Sequence, residues 1–205
     1  MNTPSNVLGV VLAGGAGARV SGADKGLLPL CGRPLVEHVL ERLRPQCGRL
    51  LIIANRNADE YARYAPVVHD GNDGHAGPLA GLLAAFGFIE ANGHALPRWM
   101  LTVPVDCPDP PHDLAVRLRA GLTQPSARCA FVRRADRPQP LFALYRIDDA
   151  AAWRASAQAA LHRHASPMRW HAETGASAVG FDDARGAFHN LNTPEDFRDY
   201  ERTHG

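Results

Sequence analysis

Hydrophobic positions along this chain follow two alternating rhythms. Val7–Leu12 is an unbroken run, almost wholly aliphatic, that leads through Ala13 to Gly14 and Gly15. A run of that kind reads as a strand buried on both faces of a parallel sheet, here the first and central one. From Pro34 onward the apolar positions are Leu35, Val36, Val39, Leu40 and Leu43, with charges between them. That spacing predicts a helix with proline in its first turn. A second strand follows over 49–54. Leu79, Leu82, Leu83, Phe86 and Ile89 restore the helical spacing, and 99–105 restores the buried-strand pattern before the chain reaches Asp106.

The rest is less regular. Strands are predicted over 129–133, 141–146 and 178–181, and an alanine-rich helix over 149–163. A last helix opens at Pro194 behind Thr193, with Asp196 three residues past that cap, a variant of the capping box. The stretches 69–78 and 135–140 are rich in turn formers and read as functional loops or linkers. Strand and helix alternate, which argues for βαβ units with right-handed crossovers. The expected product is a three-layer, Rossmann-like α/β domain with a mostly parallel central sheet, binding its ligands beyond the carboxyl ends of the strands. Gly14-Gly15 and Asp106 both stand just past predicted strand ends.

Composition narrows this picture. At 205 residues and 45% hydrophobic content the chain can bury one substantial core, so a single domain over 1–205 is expected. The formal charge of +1 gives no global field for a nucleic-acid backbone or an anionic membrane surface. Cys31, Cys47, Cys107 and Cys129 form no Cys-x-x-Cys pair and read as reduced thiols. Residues 1–6 carry no Lys or Arg, and the apolar run 7–13 is too short for a secretory core or a membrane span. A cytoplasmic chain is expected.

The segment Leu12-Ala13-Gly14-Gly15-Ala16-Gly17-Ala18-Arg19-Val20-Ser21-Gly22-Ala23-Asp24-Lys25 combines four glycines with two cations. Glycine lets backbone N–H groups approach an anion closely, and Arg19 and Lys25 add charge-assisted contacts to phosphate oxygens. The glycines alone admit a purely structural reading; the two cations favour phosphate. A Walker loop would need Gly-Lys-Ser/Thr, and a dinucleotide fingerprint would need a third glycine where Val20 stands. Asp106 suits magnesium, which takes one carboxylate plus substrate phosphates and water, although a strand-end aspartate also caps turns. As a strand-end group outside the core, it should be replaceable without loss of the fold. Gly77 and Gly81 flank a helix entry, a place for an anion or for tight packing. Asn190 and Asn192 either pin the turn before the last helix or act near the pyrophosphate or metal. His162, His164 and His171 lack the spacing of a metal set and read as solvated. Cys107 beside Asp106 has its thiolate disfavoured by the neighbouring charge.

Leu12-Ala13-Gly14-Gly15 with Asp24-Lys25-Gly26 resembles the signature of small nucleotidyltransferases, in the branch of the molybdenum cofactor guanylyltransferases. The resemblance continues at Ala54-Asn55-Arg56, Asp70, Gly77-Pro78-Leu79-Ala80-Gly81, Val105-Asp106-Cys107-Pro108 and Asn190-Leu191-Asn192-Thr193-Pro194-Glu195-Asp196. It implies a nucleotide-diphospho-sugar-transferase-type fold, with a nucleotide-binding half at 1–110 and an acceptor-binding half at 111–205. It also implies GMP transfer from GTP to the phosphate of molybdenum-molybdopterin with Mg2+, by a monomer that passes its product to molybdoenzymes or their chaperones. Leu12, Ala13, Gly14 and Gly15 would line the nucleotide. Lys25 and Arg19 would hold its phosphates, Asn55 and Asp70 would recognise the nucleoside, and Asp106 would bind the metal. Val20 and Ser21 depart from the residues frequent in this branch, and the late basic residue near the acceptor has only Arg163 and Arg169 as candidates. A related transferase using CTP or another phosphate acceptor is the alternative.

Overall fold

All six residues of β1 (Val7–Leu12) are buried, as a strand covered on both faces must be. The computed structural model describes residues 6–14, 19–20, 23–71, 77–93, 96–124, 126–184 and 186–204, with the backbone alone at 19–20. After β1 come β2 (Arg19–Val20), β3 (Ala23–Asp24), β4 (Pro29–Leu30), β5 (Arg33–Pro34), α1 (Leu35–Leu43), β6 (Arg49–Ile53), α2 (Ala58–Tyr61) and β7 (Val67–Val68). They are followed by α3 (Pro78–Asn92), β8 (Trp99–Pro104), α4 (Leu114–Ala120), β9 (Cys129–Arg134), β10 (Arg137–Arg146), α5 (Ala150–His162), α6 (Pro167–Glu173), β11 (Ser177–Gly180) and α7 (Pro194–His204).

Seven strands make the central sheet in the order β11-β9-β10-β8-β1-β6-β7. β1 pairs in parallel with β6 and β8, β6 with β7, and β9 with β11; only β10 runs antiparallel to its neighbours. The alternation of side chains along β1 divides the core. Val7 and Val11 pack with Val36, Leu40 and Leu43 of α1 and with Leu114 and Leu118 of α4. Leu8, Val10 and Leu12 pack on the opposite face with Leu79 and Phe86 of α3, Trp153 of α5 and Trp170 of α6. Burying side chains of this size contributes about 1.5–3 kcal/mol each. The result is helix, sheet, helix, in three layers. A third cluster, Leu30, Leu35, Leu191 and Phe197, fixes α7 against the β4–β5 hairpin. The end of the chain therefore returns to its N-terminal part.

Pro34 differs from expectation by one place: it is the residue before α1 and also ends β5. The stretch 135–140 is mostly strand, since β10 begins at Arg137. β10 meets β8 only from Ala143, opposite Thr102, to Arg146, opposite Trp99. Pro138 and Pro140 thus lie beyond the pairing with β8, where a missing N–H costs no ladder bond on that side. A register shift between Gln139 and Ala143 interrupts the β9–β10 ladder there, and the Thr102 hydroxyl donates to Leu141 O at 2.8 Å. His171 is buried rather than solvated: its ring stacks on Phe131 and its Nε2 pairs with the Tyr145 hydroxyl at 2.8 Å. Burial lowers its pKa from 6.5 to about 4. Among the described residues no helix is long and apolar enough to cross a membrane.

Candidate functional site

The carboxyl ends of the three central strands β6, β1 and β8 lie side by side. Ala13 N donates to Ile53 O at 2.8 Å, and Val105 N donates to Leu12 O at 3.1 Å. Residues leaving these strands are thereby brought to one edge, the edge where an open α/β sheet binds ligands. Gly14 leaves β1 beside Asn55, which follows β6. A Cβ on Gly14 would stand 3.3 Å from Asp70 Oδ2 and 3.6 Å from Asn55 Nδ2. Asp70 N in turn donates to Asn55 Oδ1 at 3.1 Å. Glycine here lets the Asn55–Asp70 pair come up against the backbone. Gly15 lies outside the described residues. Arg19 is described as backbone only, paired with Asp24 across the β2–β3 hairpin.

Lys25 opens a short 3-10 turn, Lys25–Leu27, that Asp24 caps by accepting from Gly26 N at 3.2 Å. The same carboxylate accepts from the Tyr61 hydroxyl at 2.5 Å and from Asn57 Nδ2 at 3.1 Å. Tyr61 is fully buried, and burial first, then its bond to Asp24, raises its pKa. A Cβ on Gly26 would collide with the Tyr61 hydroxyl and stand 2.9 Å from Val105 Cγ2. The turn is therefore packed without slack, and it buries the lysine beside it, which is 1% exposed. Asp24 and Tyr61 were not among the site residues expected from sequence. Asp24 sits inside the glycine-rich segment, but nothing in that segment indicates that it anchors the turn.

A buried ammonium needs partners. Lys25 Nζ donates to Asn192 Oδ1 at 2.9 Å and to Asp106 Oδ2 at 3.4 Å. Asp106 follows β8, and its backbone oxygen accepts from Leu191 N at 2.8 Å. Asn192 is aimed by the cap of α7: Asp196 Oδ2 accepts from Asn192 N and Thr193 N at 2.8 and 2.7 Å, and Thr193 Oγ1 accepts from Asp196 N. These backbone bonds hold the Asp196 carboxyl below its usual range. The capped turn and the contact with Lys25 are one device, so Asn192 does pin the turn before α7. Asp106 is also the counter-charge of a buried lysine, a tie to the fold that its place at a strand end does not show.

Asp106 Oδ1 is buried and has no hydrogen-bond partner among the described residues, and the same is true of Asn190 Oδ1. A bare carboxylate oxygen at a strand end fits the ligand demand of a hard divalent cation. Among the described residues no group of three or more His, Cys, Asp or Glu is arranged to hold a metal. A cation at Asp106 would complete its shell with substrate phosphates and water.

Gly77 precedes α3 with φ of 69°, a left-handed value suited to glycine, and Pro78 takes the first turn. Gly81 faces Leu12 Cδ2, which a Cβ would meet at 3.2 Å, so it lets the helix lie close on β1. Arg163 and Arg169 both pair with Glu173, at 2.7 and 3.1 Å, out in the α5–α6 layer. Cys107 is fully buried, and its thiol is pushed up to about 12, by burial first and by Asp106 second.

Comparison with known proteins places the chain in a family. A family profile described as a MobA-like NTP transferase domain matches residues 9–175. A protein of Shewanella loihica named molybdenum cofactor guanylyltransferase is 38% identical over 188 residues, covering 91% of each chain. A protein of the same name from Shewanella halifaxensis is also 38% identical, over 91% of this chain and 89% of its own. Among solved structures, molybdopterin-guanine dinucleotide biosynthesis protein A of Archaeoglobus fulgidus superposes with a TM-score of 0.71 at 23% identity, over 96% of this chain and 97% of that one. CMP:2-keto-3-deoxy-manno-octonic acid synthetase, complexed with CTP, gives 0.70 at 15% identity over 97% and 98%. These two likenesses show a shared nucleotidyltransferase fold.

Proposed function

The chain belongs to the MobA-like NTP transferase family, and we propose that it transfers GMP from GTP to the phosphate of molybdenum-molybdopterin, forming the molybdopterin guanine dinucleotide cofactor. The observation that carries this reading is the meeting of Lys25 and Asp106 at the strand ends, with one Asp106 oxygen left bare. An oxygen of the acceptor phosphate bonds to the α-phosphorus of GTP, the bond from that phosphorus to the β-phosphate bridge breaks, and pyrophosphate leaves. The attacking oxygen is already ionised near neutral pH, so the site needs no strong base, and positioning and charge neutralisation carry the chemistry.

Asp106, together with phosphate oxygens and water, would hold Mg2+, which would neutralise phosphoryl charge when bound. Lys25, fixed by Asn192, and Arg19 serve the phosphates. Leu12, Ala13, Gly14 and Gly15 line the nucleotide, and Asn55 and Asp70 read the nucleoside, supported by their approach to Gly14. Gly77 and Asn190 belong to the pyrophosphate and acceptor region, while Gly81 acts through packing. The nucleotide half is 1–110 and the acceptor half 111–205, with α7 serving the first half through Asn192. The protein works in the cytoplasm as a monomer and passes its product to molybdoenzymes or their chaperones.

The test is pyrophosphate release with molybdenum-molybdopterin and each of the four triphosphates in turn. Recognition by hydrogen bonds that a wrong base leaves unpaired should favour GTP by roughly a thousandfold or more. Equal rates with CTP would end the guanylyl reading and leave the transferase chemistry standing.

A further inference from the structure

Lys25 and Asp106 form a neutral pair in which the two side chains differ sharply in access to water. The Lys25 side chain is 2% exposed and that of Asp106 is 20% exposed. The ammonium is held in place by the turn around Gly26, which packs against Tyr61 and Val105, and by Asn192, which accepts from Nζ at 2.9 Å. Asp106 Oδ2 is the carboxylate oxygen in ion-pair range of this charge among the described residues. Oδ1, on the same carboxylate, is the oxygen left for a metal. A divalent ion on Oδ1 would therefore share a single negative charge with a fixed ammonium a few ångströms away, under the weak screening of a buried site.

We propose that Lys25 keeps the Asp106 site closed to a free divalent cation, so that the metal enters only with the triphosphate. The negative charges of the triphosphate are what allow ammonium and metal to occupy the same corner. Lys25 thus acts with opposite sign in two states: it repels the ion from the empty site and stabilises the nucleotide–metal complex in the filled one. The inference rests on Asp106 as the metal-holding carboxylate, and the two can fail separately.

The experiment is a titration of the full chain with Mn2+, an oxygen-seeking stand-in for Mg2+, followed by the electron paramagnetic resonance signal of the free ion. Without nucleotide, Lys25→Met should bind Mn2+ at least about tenfold more tightly than the unchanged chain, about 1.4 kcal/mol. The gain should vanish in Lys25→Met/Asp106→Asn. With GTP present the order should reverse, the unchanged chain binding the nucleotide–metal complex more tightly than Lys25→Met. Unchanged or weaker Mn2+ binding by Lys25→Met without nucleotide overturns the proposal, and so does a gain that survives Asp106→Asn. If Asp106→Asn leaves unchanged the Mn2+ bound with GTP beyond what GTP alone holds, the metal reading itself fails. Lys25→Gln provides the same comparison should the methionine variant fold poorly by circular dichroism. In the unchanged chain, the 15N-labelled Lys25 ammonium signal should remain unmoved by metal alone and shift on adding GTP with metal; a shift with metal alone counts against the proposal.

Discussion

Removing one charge from the Lys25–Asp106 pair should damage the fold unequally, depending on which partner goes. Taking one member from a buried ion pair costs about 3–5 kcal/mol when the other is left without compensation in a dry site. Asp106→Asn leaves that situation almost intact. The Lys25 ammonium stays buried, with the neutral Asn192 oxygen 2.9 Å away and no carboxylate in range among the described residues. Partial access of water at position 106 lowers the expected cost to about 2–3 kcal/mol. Lys25→Met instead leaves a carboxylate that is one-fifth exposed and already supports one bare oxygen, and its apolar stem still fills the space beside the turn. About 1 kcal/mol is expected there.

The assay is urea unfolding at neutral pH, followed by tryptophan fluorescence, with thermal melts alongside. Asp106→Asn should be less stable than Lys25→Met by about 1–2 kcal/mol, or about 2–8 °C in Tm for a chain of this length. The double variant should be more stable than Asp106→Asn alone, because removing the stranded charge relieves the penalty. An Asp106→Asn variant as stable as the unchanged chain would refute the reasoning, as would Lys25→Met being the more damaging change. Transfer activity should be lost in both single variants, so stability is the measurement that separates them.

Gly26→Ala places a methyl group against the Tyr61 hydroxyl and Val105 Cγ2; it should cost about 1–3 kcal/mol and displace Lys25 enough to lower kcat. Gly93→Ala, with helical φ and nothing within 4 Å among the described residues, should change neither. Gly14→Ala crowds Asp70 Oδ2 at 3.3 Å; KM for GTP should rise several-fold with Tm nearly unchanged, and an unchanged KM would remove Asp70 from nucleotide recognition. His171 has its folded-state pKa lowered from 6.5 to about 4, so the fold favours the neutral ring. Its stabilisation is complete above pH 6.5 and lost as pH falls toward 4, a difference of about 3 kcal/mol across that window. Urea midpoints measured from pH 7 to 4 should fall less steeply in His171→Gln, and parallel slopes in the two proteins would exclude the histidine as the cause.

Periodicity made the central layers readable. β1 and β8 announce themselves as unbroken apolar runs, α1 and α3 by helical spacing, and α7 by the Thr193–Asp196 cap, which the structure forms. The short elements were not readable, because α4 buries only Leu114, Ala115 and Leu118, and α6 only the adjacent Trp170 and His171. Two residues side by side give no helical period. The prolines of 135–140 pointed to a loop because their tolerance depends on where β8 stops, a fact of pairing and not of composition. His171 reads as solvated for a related reason: its ring, on α6, is sheltered by Phe131 and Tyr145, which come from strands β9 and β10.

The candidate site shows the same division between place and partnership. That ligands gather at strand ends puts Gly14 and Asp106 on one edge from sequence alone. Which groups would neutralise one another was hidden, since Lys25 finds its partners 81 and 167 positions away. A lysine in a glycine-rich segment reads as a cation for phosphate, with nothing in the segment to indicate burial, yet it is among the largest fully buried side chains. That burial changes the role of its neighbours. Asp24 and Tyr61 hold the turn that hides the ammonium, and the cap of α7 delivers Asn192 to it. The charge in the site is therefore fixed in advance, and under the proposed function it would stabilise a phosphate transition state without the cost of being brought there.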